Sequence, residues 1–277
     1  MDYPAIIEGM PSEEYHACTE LSKHDLDKVA ISPLHFKTYK AEPQEATEAM
    51  QIGTLVHTAI LEPDLFSDSF LLAPDCDKRS KEGKDRWKTA QEEAELSGKI
   101  VAPEQTIKNI RLMAESVFAH RSAKLALSSG GMVEASIFAR DPETGVAIRS
   151  RPDLITKGNS IVDVKTCQVE KGGIAEFAKS VANFRYDVQA AFYLDICKLA
   201  GLEKTAFVFI VIEKEAPFAV ATYQLDEDSI AAGRAQYRKN LAFYAECLKN
   251  DEWPCYSQGV EVISLPKWKL RQLENAA

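Results

Sequence analysis

Apolar positions recur along this chain with two periods, and the change of period divides it. Over the first 62 residues the spacing is helical. Residues 10–45 are polar and punctuated, with hydroxyls at Ser12, Ser22 and Ser32 placed to open two or three short helices. Asp25 follows Ser22 by three residues, the spacing of a capping box. Pro33 directly after Ser32 suits the first helical position. Residues 46–62 predict a stronger helix, with Ile52, Val56, Ala59 and Ile60 on one face. Pro63 ends it. Gly53 lies inside this helix, where glycine costs about 1 kcal/mol relative to alanine. It shares a face with His57, which predicts that another backbone approaches closely there.

The pattern at 66–73 predicts an edge strand. Helices are expected over 82–97, closed by Gly98, then near 103–119 and 122–128. From about 130 to 225 the pattern turns strand-like. Segments 132–140, 146–155 and 160–166 predict a three-strand meander, with a turn at Asp141-Pro-Glu-Thr-Gly145. Helices follow at about 174–181 and 186–200. Residues 205–212 are almost uninterrupted in apolarity, as in a strand buried on both faces, and 218–225 pairs with them. A long amphipathic helix over 226–250 carries Ile230, Tyr237, Leu241, Tyr244 and Leu248 on one stripe. The expected architecture is one α/β domain spanning 1–277. It has a helical N-terminal part (1–62), a central mixed sheet flanked by helices (about 130–225), and a C-terminal helix and tail (226–277).

Apolar residues make up 45% of the chain and charged residues 27%, the balance of a soluble globular protein. Met1 to Gly9 has neither the basic start nor the apolar run of a signal peptide, and no stretch is long enough to span a membrane. Six cysteines form no C-x-x-C pair and predict free thiols in a reducing cytoplasm. The net charge of −9 excludes a simple basic nucleic-acid binder, though not an enzyme with a local basic groove. Residues 77–88 hold six basic and three acidic side chains, including Lys78, Arg79, Lys81, Lys84 and Arg86. That run either tracks a DNA backbone or forms a solvated loop.

The chemistry concentrates at 149–166. Two apolar runs flank a Lys-Gly-Asn-Ser turn, and each carries a carboxylate, Asp153 and Asp163. Strand parity puts Asp163 and Lys165 on one face, with Val162 and Val164 on the other. A hairpin brings Asp153 beside them. Buried charges are costly unless they pair or hold a metal. Two carboxylates suit magnesium, and Lys165 could stabilise charge on a phosphate or, with a lowered pKa, act as a base. A buried Asp–Lys pair with Asp153 capping the turn accounts for the same residues. His57 is either a metal ligand or a hydrogen-bonded core histidine. Glu134 faces the same cleft or lies at a sheet edge. Gln189 and Tyr193 share a helix face beside a core stripe. Arg149 and Arg151, with the parity of Asp153, either grip phosphate or neutralise the acids.

Seven fragments in order carry a resemblance: Glu13-Glu-Tyr-His16, 53–63 with Gly53-x-x-x-His57, Asp141–Gly145, Arg151-Pro-Asp153, Asp163-Val-Lys-Thr166, Tyr186-Asp-Val-Gln-Ala-Ala-Phe-Tyr193 and Asp251-Glu-Trp-Pro254. Together they resemble the RecE-type exonuclease VIII nuclease domain, in the RecB-like branch of the PD-(D/E)xK superfamily. The resemblance implies a restriction-endonuclease-like core. It implies a magnesium-dependent 5′-to-3′ exonuclease on linear duplex DNA, with manganese as a substitute metal, leaving 3′ strands for a RecT-like annealing protein. His57, Asp153, Asp163 and the carbonyl of Val164 would be metal ligands, and Lys165 the catalytic lysine. Glu134 matches an acid near the metals, and Gln189 and Tyr193 match the motif after the active-site strand. A homotetrameric ring in the bacterial or phage-infected cytoplasm is implied as well. Other readings are a structure-specific endonuclease of the same superfamily and a non-catalytic DNA-binding protein.

Overall fold

A computed structural model describes residues 2–42, 46–77, 79–257 and 259–274. The chain starts with a short strand, β1 (Ala5–Ile7), and continues as three helices, α1 (Ser12–Ala17), α2 (Lys23–Ile31) and α3 (Pro33–Ala41). The predicted caps form at two of them. Ser22 accepts the Asp25 N–H, and the Asp25 carboxylate accepts the Ser22 N–H at 2.9 Å. Ser32 accepts the His35 N–H, with Pro33 in the first turn. At α1 the cap position falls on Pro11, which has no side-chain acceptor, and Ser12 already lies within the helix.

Helix α4 (Glu48–Leu61) stops before Pro63, which then opens a separate turn, α5 (Pro63–Phe66). Gly53 corrects an expectation. A Cβ built there would meet nothing within 4 Å, so among the described residues no neighbouring backbone packs against it. The glycine faces open space one turn from His57. Strand β2 (Phe70–Leu72) pairs in parallel with β3 (Ile100–Ala102) as a two-stranded sheet of its own. Parallel pairing needs a crossover, and α6 (Lys81–Ser97) supplies it, closed by Gly98 at φ +65. The sequence pattern treats β3 only as a lead into α7 (Glu104–Ala119), which α8 (Arg121–Ser128) follows.

The expected three-strand meander does not form. Segment 132–140 breaks at Glu134 (φ +48) into β4 (Gly131–Val133) and β5 (Ser136–Arg140). Segment 146–155 breaks at Arg151-Pro-Asp153 into β6 (Ala147–Ser150) and β7 (Leu154–Thr156). Pro152 has no N–H for a ladder, which explains the second break. The pieces go to different sheets. β5 sits between β1 and β6 in a three-stranded sheet. β4 and β7 join β8 (Ser160–Cys167), β9 (Ala206–Glu213) and β10 (Val220–Gln224) in a five-stranded sheet of order β10-β9-β8-β7-β4. Its β8–β9 pair is parallel and the others antiparallel, so the sheet is mixed as expected. Helices α9 (Ile174–Phe184) and α10 (Tyr186–Leu199) make the crossover from β8 to β9. The long α11 (Glu227–Asn250) and the short α12 (Lys267–Glu274) complete the order.

Side-chain alternation on β8 and β9 covers both faces of this sheet. Ile161, Phe207, Phe209 and Val211 pack with α2, α10 and α11. Val162, Val164, Ile210 and Ile212 pack with α4 and α7. A Cβ on Gly233 of α11 would fall 2.2 Å from the Asp187 carbonyl oxygen, so α11 lies hard against the start of α10.

Candidate functional site

The site begins with the end of β7. Leu154 pairs with Val162 and Ile155 with Ile161. Continuing that register would set Pro152 opposite Val164, and proline cannot donate to the Val164 carbonyl. Instead the Asp153 carboxylate accepts the Val164 N–H at 2.7 Å. The Val164 carbonyl meets His57 Nε2 at 3.1 Å. One residue thus shows both backbone groups to the notch where the strand is interrupted. Glu134 lies at the matching break between β4 and β5, its N–H bonded to the Asp153 carbonyl at 3.1 Å. Its left-handed φ of +48 is uncommon for a residue with a side chain and typical of functional sites.

Asp163 and Lys165 share the face that strand parity predicts, with the ammonium 2.7 Å from Asp163 Oδ2. Gln189 of α10 donates to Asp163 Oδ1 at 2.6 Å. Asp163 is fully buried, and its Oδ2 has no partner in hydrogen-bond geometry; the Lys165 contact satisfies distance only. Burial pushes the Asp163 carboxyl up to about 6 despite that neighbour. Burial alone would lower the Lys165 ammonium, but Asp163 and Asp153 outweigh it and hold its pKa up. The Lys165 ammonium also lies over the Tyr186 ring, 4.7 Å from the centroid.

His57 Nδ1 stands 3.6 Å from Asp153 Oδ2 and 3.7 Å from Glu134 Oε1. Burial opposes a charge on the imidazole, but Asp153 and Glu134 prevail and raise it to about 9. Burial raises the Asp153 carboxyl, with His57 acting against it. Ligand atoms of His57, Glu134 and Asp153 all lie within 4.8 Å of one another, an arrangement that could hold a metal ion. The donor set fits a divalent cation: the Glu134 and Asp153 carboxylates and the His57 imidazole, with the Val164 carbonyl and the buried, unpartnered Oδ2 of Asp163 as further oxygens nearby. Tyr193 borders the same acids. Burial pushes its phenol well above the usual value, with Asp163, Asp153 and Glu134 adding to the effect.

Arg149 and Arg151 make no salt bridge with those acids among the described residues, although the charge of Glu134 acts on Arg151. Both guanidiniums lie over the Tyr15 ring, at 4.6 and 4.2 Å. Arg151 donates to Ser136 Oγ and to the Met10 carbonyl. Arg149 is 4% exposed, and its Nε and Nη1 have no hydrogen-bond partner. Among the described residues neither arginine makes a salt bridge. The basic run is a different matter. Arg79 pairs with Asp77, Arg86 donates to the Asp75 carbonyl, and Lys81 and Arg86 line a shallow groove of about 660 Å³ together with Glu82, Asp85 and Glu93. Arg79, Lys81, Lys84 and Arg86 make no ion pair with the acids around His57. Lys78 lies outside the described residues.

Residues 24–266 match the family described as "PDDEXK-like domain of unknown function (DUF3799)". The chain belongs to this family. Its mixed sheet flanked by helices is the restriction-endonuclease-like fold of PD-(D/E)xK proteins. A crystal structure of a protein described as "Putative exonuclease", from Eubacterium rectale, superimposes with a TM-score of 0.61 at 13% identity, covering 95% of this chain and 97% of that one. At that identity the likeness shows the fold. The structure of SSO0001, 18% identical over 72% of this chain and 87% of its own, has a TM-score of 0.29, too low to carry an argument. No curated protein matches the sequence.

In this PDDEXK-like chain, hydrophobic periodicity gives three neighbours of the site no role, although Tyr15 and Tyr186 fall within fragments that carry the resemblance. Tyr186 lies under Lys165, Tyr15 lies under both arginines, and Lys23 reaches the Phe184 carbonyl at 3.0 Å. Tyr186 and Lys23 open their helices and Tyr15 lies within α1, and periodicity does not give the direction of any of these side chains.

Proposed function

We propose that this chain is a magnesium-dependent exodeoxyribonuclease that digests linear duplex DNA from 5′ to 3′. The observation that carries the reading is the convergence of His57, Glu134 and Asp153 with Asp163 and Lys165 around the backbone of Val164, whose N–H and carbonyl meet Asp153 and His57. His57, Asp153, Asp163 and the Val164 carbonyl would hold the ion, with Glu134 beside them and manganese as a substitute. A divalent ion bound there would supply Lewis acidity toward the phosphodiester. Lys165, beside Asp163, is placed to stabilise charge gathering on the phosphate. Gln189 fixes one oxygen of Asp163, so the other stays turned toward Lys165. Tyr193 narrows the cleft and helps exclude water. Arg149 and Arg151 bring positive charge that is held in no salt bridge among the described residues, which suits a phosphate group.

Direction and product rest on the resemblance to RecE-type nucleases: 3′ single strands handed to a RecT-like annealing protein, in the cytoplasm of a bacterial or phage-infected cell. A homotetrameric ring would reconcile the net charge of −9 with DNA binding, since a ring can keep an acidic exterior around a basic bore. The test is a time course with magnesium on duplexes labelled at either the 5′ or the 3′ end, beside closed circles. Early loss of the 5′ label from linear DNA, intact circles and no digestion by Asp163→Ala are expected. Cleavage of circles would point to an endonuclease instead. Unchanged digestion by Asp163→Ala would refute the assigned site.

A further inference from the structure

The strongest unexplained feature near the site is Phe184, a phenylalanine left 60% exposed at the junction of α9 and α10. Its ring stacks on Tyr186, with centroids 5.6 Å apart and planes 30° apart. The same Tyr186 ring carries the Lys165 ammonium. Phe184 is thus one ring away from a side chain in contact with Asp163.

The junction is fastened rather than loose. Arg185 takes a left-handed φ of +56, which turns the chain between the two helices. Asp27 of α2 binds Arg185 Nε at 2.8 Å and Lys23 Nζ at 2.7 Å. Lys23 in turn donates to the Phe184 carbonyl at 3.0 Å. Two contacts from α2 therefore hold the junction, one at the Phe184 carbonyl and one at the Arg185 side chain, while the Phe184 ring remains largely in water. Behind it, Tyr186 leans on Phe177 and Phe209 of the core, so the ring has a solid backing.

A flat apolar face held rigidly beside a charged lysine matches what nucleobases need. Each base has a π-face, and stacking on an aromatic side chain is tolerant of sequence. We infer that Phe184 is a stacking residue that receives a base of the DNA strand next to the phosphate bound at Lys165. This deepens the nuclease reading and rests on it for the identity of the ligand. The stack would fix the strand's register, so that one phosphate at a time is presented.

Two readouts test it on the full chain. In the first, duplex digestion with magnesium is measured for the wild type, Phe184→Ala, Phe184→Leu and Phe184→Trp. KM is expected to rise about tenfold for alanine and leucine, and tryptophan to restore it. Abasic sites placed singly at the first three positions of an end provide a cross-check. One of them should cost the wild type as much as the alanine substitution does, and cost the alanine variant nothing more. An unchanged KM in Phe184→Ala, or equal abasic losses in both proteins, would overturn the inference. The second readout needs no cleavage: 2-aminopurine at the same positions, with DNA bound in the absence of metal. Stacking should quench its emission with wild type and not with Phe184→Ala. Equal emission in both overturns the inference. An inactive wild type that still shows the Phe184-dependent quench would count against the nuclease reading alone.

Discussion

Asp153 Oδ2 accepts the N–H of Val164 at 2.7 Å, in place of the strand partner that Pro152 would otherwise have supplied. The carboxylate therefore serves the fold as well as the site. Asp153→Asn keeps an acceptor of the same shape. It is expected to fold with near wild-type stability and to lose metal affinity by about a hundredfold or more. Asp153→Ala also strands the amide, at a cost of about 1–3 kcal/mol. Denaturant titrations compare the two, and equal stabilities would contradict the structural role.

Magnesium should stabilise the protein. Binding to the folded form alone adds about 2.7 kcal/mol at a hundred times the dissociation constant. Thermal melts across a magnesium series, with a chelator as the baseline, are expected to rise for the wild type and stay flat for Asp153→Asn. A flat wild-type series would argue that these residues hold no ion.

Two glycines should respond in opposite directions. Gly53→Ala adds a methyl group in open space within α4 and is expected to stabilise by about 1 kcal/mol. Gly233→Ala pushes a carbon into the Asp187 backbone and should destabilise by about 1–3 kcal/mol, because neither helix can give. Chemical denaturation measures both; a loss of stability in Gly53→Ala would mean that its face is covered.

Arg149 and Arg151 are expected to bind phosphate. Replacing either with methionine should weaken duplex binding and lower the slope of affinity against salt by about one. Anisotropy titrations over a range of salt read this directly. Digestion should also run faster on 5′-phosphate than on 5′-hydroxyl ends, with the difference reduced in both variants. An unaltered salt slope would leave the buried guanidiniums without a phosphate.

Cys197 is fully buried, and burial pushes its thiol up to about 12 from 9.0. The folded state thus holds this proton more tightly than the unfolded chain. Its contribution to stability is complete below pH 9.0 and is lost as pH rises toward 12, by up to about 1.4 kcal/mol per pH unit. Cys197→Ala should flatten the fall in stability just above pH 9.0, where tyrosines have yet to ionise. An identical slope would assign the fall to other groups.

The centre of the site was legible in the sequence because strand parity is a local rule. It put Asp163 opposite Val162 and Val164 in direction, and the lysine two residues on beside the acid. Capping at Ser22 and Ser32 was legible for the same reason. The meander was misread because alternation says which way a side chain points and not which strand lies next to it. Pro152 was the available signal for a break, and Glu134 gave none, since left-handed backbone at a glutamate has no marker in sequence. Strand β3 was missed because three apolar residues before a proline look alike in a loop and in a parallel pair. Gly53 invited a packing explanation that its empty surroundings do not support.

His57 comes from a helix bedded on one face of the central sheet, and Gln189 from a helix bedded on the other. The ion's surroundings therefore depend on the relative position of two separate layers of packing. A small slip in one layer would move His57, and in the other the Gln189 amide that holds Asp163, before it unfolded anything. Metal affinity in this protein should accordingly act as a gauge of alignment between its two halves, failing under mild heat or denaturant while the spectroscopic signals of the fold are still intact.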